Sequence, residues 1–272
     1  MRALAVAVGL AAIVLCFQIA APASSSPTTL AVGPTQTYRT IQAAVDASSD
    51  GDTVSVDEGA YVENVRINGK YILLEAPRGA TISAKDNTTA VVFISNVPSV
   101  PGRTMRLSGF TITNCNGPPG QGGGVTVAQN SSPEISGNTI RGNNARGYGG
   151  GISVHSFSSP IIRDNLIESN RAVGGGAGVF VANNSSPIIY GNTIMGNIAS
   201  GATISNGGSS WGGVYLENTA DPNGRSHPVV LRNTIRDNTA EFAGGGIMVR
   251  TGAQVIIESN IVTGNVASYG GG

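Results

Sequence analysis

"SSPIIYGNTIMGNIAS", residues Ser185–Ser200, sets Asn192 and Asn197 five residues apart around Ile194, with Ala199 two places after the second asparagine. Burying a carboxamide without partners is costly, so the arrangement needs a reason. Repetition supplies one. The pattern N-x-(I/V)-x-x-N-x-A opens at Asn138, Asn165, Asn192, Asn233 and Asn260, at intervals of 27, 27, 41 and 27 residues. Proline stands five residues ahead of it at Pro133, Pro160, Pro187 and Pro228, with Val255 in the last copy. Glycine clusters lead into short alternating segments such as Val125-Thr126-Val127, Ile152-Ser153-Val154 and Val179-Phe180-Val181.

Each unit therefore holds three short apolar segments, broken by Gly, Asn and Ser, and none is long enough for a helix. Three strands per turn of 27 residues describe a solenoid, in which each strand pairs with its counterpart one coil on. Equal positions then stack. The spacing predicts inward columns Ile135, Ile162, Ile189, Val230, Ile257 and Ile140, Ile167, Ile194, Ile235, Val262. In such a stack each asparagine meets an identical amide above and below, and Asn tolerates the left-handed conformation of a sharp corner.

Composition agrees with a turn-rich chain. Of 272 residues 39 are glycine and only 12% are charged, with 16 basic residues balancing 16 acidic ones. No basic run appears, which disfavours a nucleic-acid partner. Residues 1–23 combine Arg2, an apolar run and the small-residue site Ala21-Pro22-Ala23, the pattern of a secretory signal peptide. Its removal predicts an extracellular or cell-surface protein with no stable membrane insertion, and it leaves one cysteine, Cys115. Residues 24–36 read as a loose Ser/Thr/Pro-rich lead-in and residues 37–272 as a single solenoid domain. Ser268–Gly272 stops where the parallel "GYGGGISV" runs on into a strand, so the C-terminal coil is expected to continue in a longer protein. Nothing in the sequence sets an oligomeric state.

The units "SSPxIxxNxIxxNxA" and "GGGxxV" resemble the right-handed parallel β-helix proteins of the pectin-lyase-like superfamily. Tyr38–Ser83 is similar to the short capping helix and opening coils of such proteins, with Thr40 as N-cap of a helix over Ile41–Ala47. The resemblance implies an all-β fold, a right-handed parallel β-helix of three-strand coils with an N-terminal capping helix. It leaves activity open, because the superfamily includes lyases, hydrolases, esterases, epimerases and non-catalytic surface proteins. It also implies that any groove lies on the outer face of the first strand.

Departures from the 27-residue period point to that face. The turn between Ala199 and Gly213 is eight residues longer than its equivalent, and the gap from Val214 to Pro228 is six longer, so both insertions flank Val214-Tyr215-Leu216. They predict a groove with Tyr215 and Glu217 on its floor, Phe180 and Arg250 on neighbouring coils, and Trp211, Asp221, Arg225 and His227 on its walls. Aromatic faces with a few charged groups suit a polysaccharide. Glu217, Asp221 and Arg250 are the candidate catalytic groups, for lyase-like or hydrolase-like chemistry. No residue cluster requires a cofactor or a metal, and calcium stays open. A non-catalytic surface, structural or adhesin-like repeat protein is the alternative.

Overall fold

The computed structural model describes residues 26–117, 122–201, 210–217, 227–250 and 254–271. The proposed signal segment and the greater part of both insertions lie outside these residues.

Parallel pairing from coil to coil builds the fold. Val65–Asn68, Val92–Ser95, Val125–Ala128, Ile152–Val154, Val179–Val181, Val214–Leu216 and Ile247–Val249 form one sheet, called here the first-strand sheet. Second and third strands, such as Ile161–Arg163 and Leu166–Glu168, share a larger sheet, because Leu73–Ser83 and Arg106–Thr113 run through the corner that separates them in later coils. A further ladder was not read from sequence. Pairs such as Asn144–Ala145 and Arg171–Ala172 form their own parallel sheet, and Ala145, Ala172 and Ala199 stack inside it as a separate small cluster.

The predicted columns are present residue for residue. Ile135 pairs with Ile162, Ile162 with Ile189, Ile189 with Val230 and Val230 with Ile257. Ile140, Ile167, Ile194, Ile235 and Val262 follow the same rule. All but the last members are buried, and a buried aliphatic side chain contributes about 1.5–3 kcal/mol. Burial depends on a neighbouring coil. Ile257 and Val262, in the last coil described, are 42% and 36% exposed.

Glycine at the corner before each first strand from Val125 onward is required by close approach. A Cβ on Gly178 would lie 2.6 Å from Gly213 O and 2.7 Å from Ile194 Cγ2. At the other end, the helix Ile41–Ala47 turns Ile41, Ala44 and Val45 into the core. Thr40 Oγ1 accepts from Ala43 N at 3.3 Å, and the Glu63 carboxylate accepts from the backbone N–H groups of Ile41 and Gln42, both at 2.9 Å. Lys70 Nζ donates to Val45 O and Ser48 O at the helix C-terminus, so both ends are satisfied. The lead-in is not loose. Thr29–Val32 pairs in register with Thr53–Val56, because alternating Leu30 and Val32 give it a face to bury against the first coil.

Candidate functional site

Register decides which side chains meet on the outside of the first-strand sheet. One outward column runs Arg66, Phe93, Thr126, Ser153, Phe180, Tyr215, Met248, and the next ends in Ala182, Glu217, Arg250. After Arg66 and Phe93 the column narrows to the small Thr126 and Ser153, then widens again at Phe180, one coil ahead of the break in period. The turn ahead of the strand adds a third column, because Tyr148 bridges to Gly175, Gly176 N donates to Trp211 O, and Trp211 bridges to Ala243.

These columns converge in a four-ring cluster. Tyr148 stacks on Phe180 at 4.6 Å between centroids, Phe180 lies 5.3 Å from Tyr215, and Tyr215 lies 4.0 Å from Trp211. Two residues of the glycine triplet 174–176 make the space. A Cβ on Gly174 would meet the Tyr148 ring at 2.6 Å and one on Gly175 the Trp211 ring at 2.8 Å, while Gly176, at φ +60°, serves the turn itself, its would-be Cβ lying 2.6 Å from Val179 O. Sequence reasoning took this triplet for a turn and missed Tyr148. Its position four residues ahead of Ile152, matching Gly175 ahead of Val179, was the available signal.

The rings fill a second small core. Tyr215, Trp211 and Phe180 are 0%, 4% and 7% exposed, so they do not present the open floor and wall expected from sequence. What reaches the surface is the rim: Tyr148 and Met248 are partly buried, and Arg250 bonds Glu217 at 3.2 Å with its guanidinium 5.5 Å from the centre of the Trp211 ring. Burial pushes the Tyr215 hydroxyl above its ordinary pKa; it feels the charges of Arg250 and Glu217 but makes no aligned hydrogen bond with either. Trp211 Nε1 is also buried, with no hydrogen-bond partner among the described residues. His227 is exposed and donates its backbone N–H to Ser186 Oγ at 3.0 Å, at the entry to a second strand. Asp221 and Arg225 lie outside the described residues.

Chemically, the described cluster offers one carboxylate, already paired with Arg250, and a phenol that is harder than usual to ionise. A two-carboxylate hydrolysis would need a second acid from outside it. Among the described residues no group of three His, Cys, Asp or Glu side chains is placed to hold a metal ion, and no helix is long and apolar enough to cross a membrane.

The family described as "right handed beta helix region" matches residues 47–220. The chain belongs to that family. Crystal structures of pectin methylesterase from Aspergillus niger, in deglycosylated and penultimately deglycosylated forms, share 16% identity with this chain. They cover 90% of this chain and 89% and 87% of theirs, at TM-scores of 0.29 and 0.31. No curated protein matches it.

Proposed function

We propose that this β-helix is a secreted polysaccharide-binding protein whose first-strand face carries the contact surface. The supporting observation is the change of outward residues from Thr126 and Ser153 to Phe180, Tyr215 and Met248, across the coil flanked by both insertions and its two neighbours. A solenoid is stabilised by its inward columns and does not need large rings outside. In this reading Phe180, Trp211 and Tyr215 shape the surface from beneath, while Tyr148, Met248, Arg250 and Glu217 touch the glycan, with Asp221, Arg225 and His227 on the flanking turns. Binding without cleavage fits the described residues better than catalysis, since Glu217 is held by Arg250 and the Tyr215 phenol stays protonated.

The test is binding of the exported protein to a panel of acidic and neutral polysaccharides, with reducing ends and unsaturated products scored in parallel. Tyr148→Ala and Arg250→Ala change the exposed rim and leave the buried rings in place. Loss of binding in both supports the reading; binding unaffected by either variant rejects this face. Sequencing the N-terminus of the exported chain tests secretion, with Ser24 as the expected first residue. A structural or adhesin-like role is the second reading, favoured by the burial of Phe180, Trp211 and Tyr215, and it predicts no glycan binding at all.

A further inference from the structure

A different face of the coil carries a second constellation. On the outside of the second strands, Leu73, Arg106, Glu134 and Ile161 stand in one column and Glu75, Ser108, Ser136 and Arg163 in the next. Ser108 and Ser136 are small, so they form a floor between the longer Glu75, Arg106, Glu134 and Arg163. Walls rise on two sides. The register shift between Glu75 and Ala80 raises a bulge at Pro77, and the Gly102–Thr104 segment stands beside Asp50 and Tyr71. The result is two adjoining cavities of about 440 and 600 Å³ that share Arg106 as a lining residue.

Charge is concentrated there in a chain only 12% charged. Most of it is neutralised internally: Arg103 pairs with Asp50 at 2.7 Å, and Arg163 pairs with Glu134 at 2.6 Å and with Asp164 at 2.8 Å. Arg106 differs. Its ion pair with Glu75 is looser, at 3.6 Å and outside hydrogen-bond range, and its buried Nε has no hydrogen-bond partner among the described residues. The exposed ends of this loose pair, with the Arg106 and Glu75 side chains 34% and 29% accessible and not hydrogen-bonded to each other, place donor and acceptor capacity side by side at the junction of the cavities. Close backbone approach forms the wall at the bulge, because a Cβ on Gly109 would clash with Ala76 O.

From this juxtaposition we infer that the Glu75–Arg106 cleft is a binding site for a neutral, hydroxyl-rich oligosaccharide, separate from the first-strand face. A sugar hydroxyl both donates and accepts, so one vicinal pair can take a hydrogen bond from Arg106 and give one to Glu75. An acidic sugar fits less well, because Asp50, Glu75, Glu134 and Asp164 outnumber the three guanidinium groups around the cavities. A flat apolar ligand has no platform, since Arg103 already covers the Tyr71 ring at 5.4 Å.

Isothermal titration of the full chain with cellohexaose, mannohexaose, galactohexaose and hexagalacturonate tests the site. At least one neutral hexasaccharide is expected to bind, and Arg106→Met and the near-isosteric Glu75→Gln are each expected to weaken it about tenfold or more. Tyr148→Ala and Arg250→Ala are expected to leave that binding unchanged, which separates this site from the first-strand reading. Unfolding midpoints of the variants establish that they fold, and Glu75→Gln carries the test if Arg106→Met does not. The inference is overturned if no neutral hexasaccharide binds, if the folded Glu75→Gln variant binds as well as the parent, or if hexagalacturonate displaces the neutral sugar.

Discussion

Asn170 reaches Asn197 twice: its side-chain Nδ2 and its backbone N both donate to Asn197 Oδ1, each at 3.0 Å. The same Nδ2 also donates to Ile140 O at 2.9 Å, so a single carboxamide ties three successive coils. Asn143 makes the equivalent pair of bonds to Asn170 Oδ1, and a parallel ladder runs through Asn138, Asn165, Asn192 and Asn233. Phe110 and Cys115 begin the two ladders, lending only a backbone N–H to Asn138 and Asn143.

Removing a rung strands groups in both directions. Asn170→Ala leaves two donors of Asn143 and the carbonyl of Ile140 unpaired inside the stack, and is expected to cost more than about 3 kcal/mol. The exposed Asn144, whose Nδ2 reaches Asn116 Oδ1 at 3.3 Å, is expected to lose less than about 0.5 kcal/mol on mutation to Ala. Urea unfolding of both variants checks the contrast; equal midpoints would mean that the ladder does not stabilise the fold.

Two glycines separate crowding from backbone strain. Gly178→Ala forces a Cβ against Gly213 O and Ile194 and is expected to cost about 1–3 kcal/mol or more. Gly137, at φ +63°, has open space around its would-be Cβ, so Gly137→Ala pays only the left-handed penalty of about 1–2 kcal/mol. Thermal unfolding should rank Gly178→Ala below Gly137→Ala.

The Tyr215 hydroxyl is buried without an aligned partner, so Tyr215→Phe is expected to be neutral or slightly stabilising. Tyr215→Ala, which empties the centre of the ring cluster, is expected to cost about 3–5 kcal/mol. If calorimetry finds Tyr215→Phe destabilised by about 1.5 kcal/mol or more, the hydroxyl has a charged partner in solution.

Burial pushes the Cys115 thiol up to about 11 from its ordinary 9.0. Below pH 9 it is neutral both folded and unfolded and adds no pH dependence. As pH rises from 9 toward 11 the unfolded thiol loses its proton first, so stability is lost across that window. Subtracting the pH profile of Cys115→Ala from that of the parent isolates this component from the tyrosines. In the native protein at pH 8, iodoacetamide is expected to leave Cys115 unmodified until the chain unfolds.

Much of the scaffold is legible because a solenoid turns sequence offset into spatial neighbourhood. Once Asn138, Asn165 and Asn192 set the 27-residue step, Ile167 must lie between Ile140 and Ile194. Helix Ile41–Ala47 was legible for a local reason, its cap and its apolar face. Glu63, which caps that helix from the connection between Ala60–Val62 and Val65–Asn68, carried no local signal.

By itself the sequence determined the coil, its inward columns, its two amide ladders and the strand at which the period breaks, since each is fixed by spacing along the chain. Tertiary structure alone decided what the outward residues become. Gly174 and Gly175 open room for Tyr148 and Trp211, which turns an expected groove floor into a packed cluster whose rim alone faces solvent. Likewise it brought Glu75 beside Arg106 over a serine floor, in opening coils that precede the regular repeat. Depth, access and charge pairing depend on which side chains of different coils share a volume, and offset along the chain does not report that.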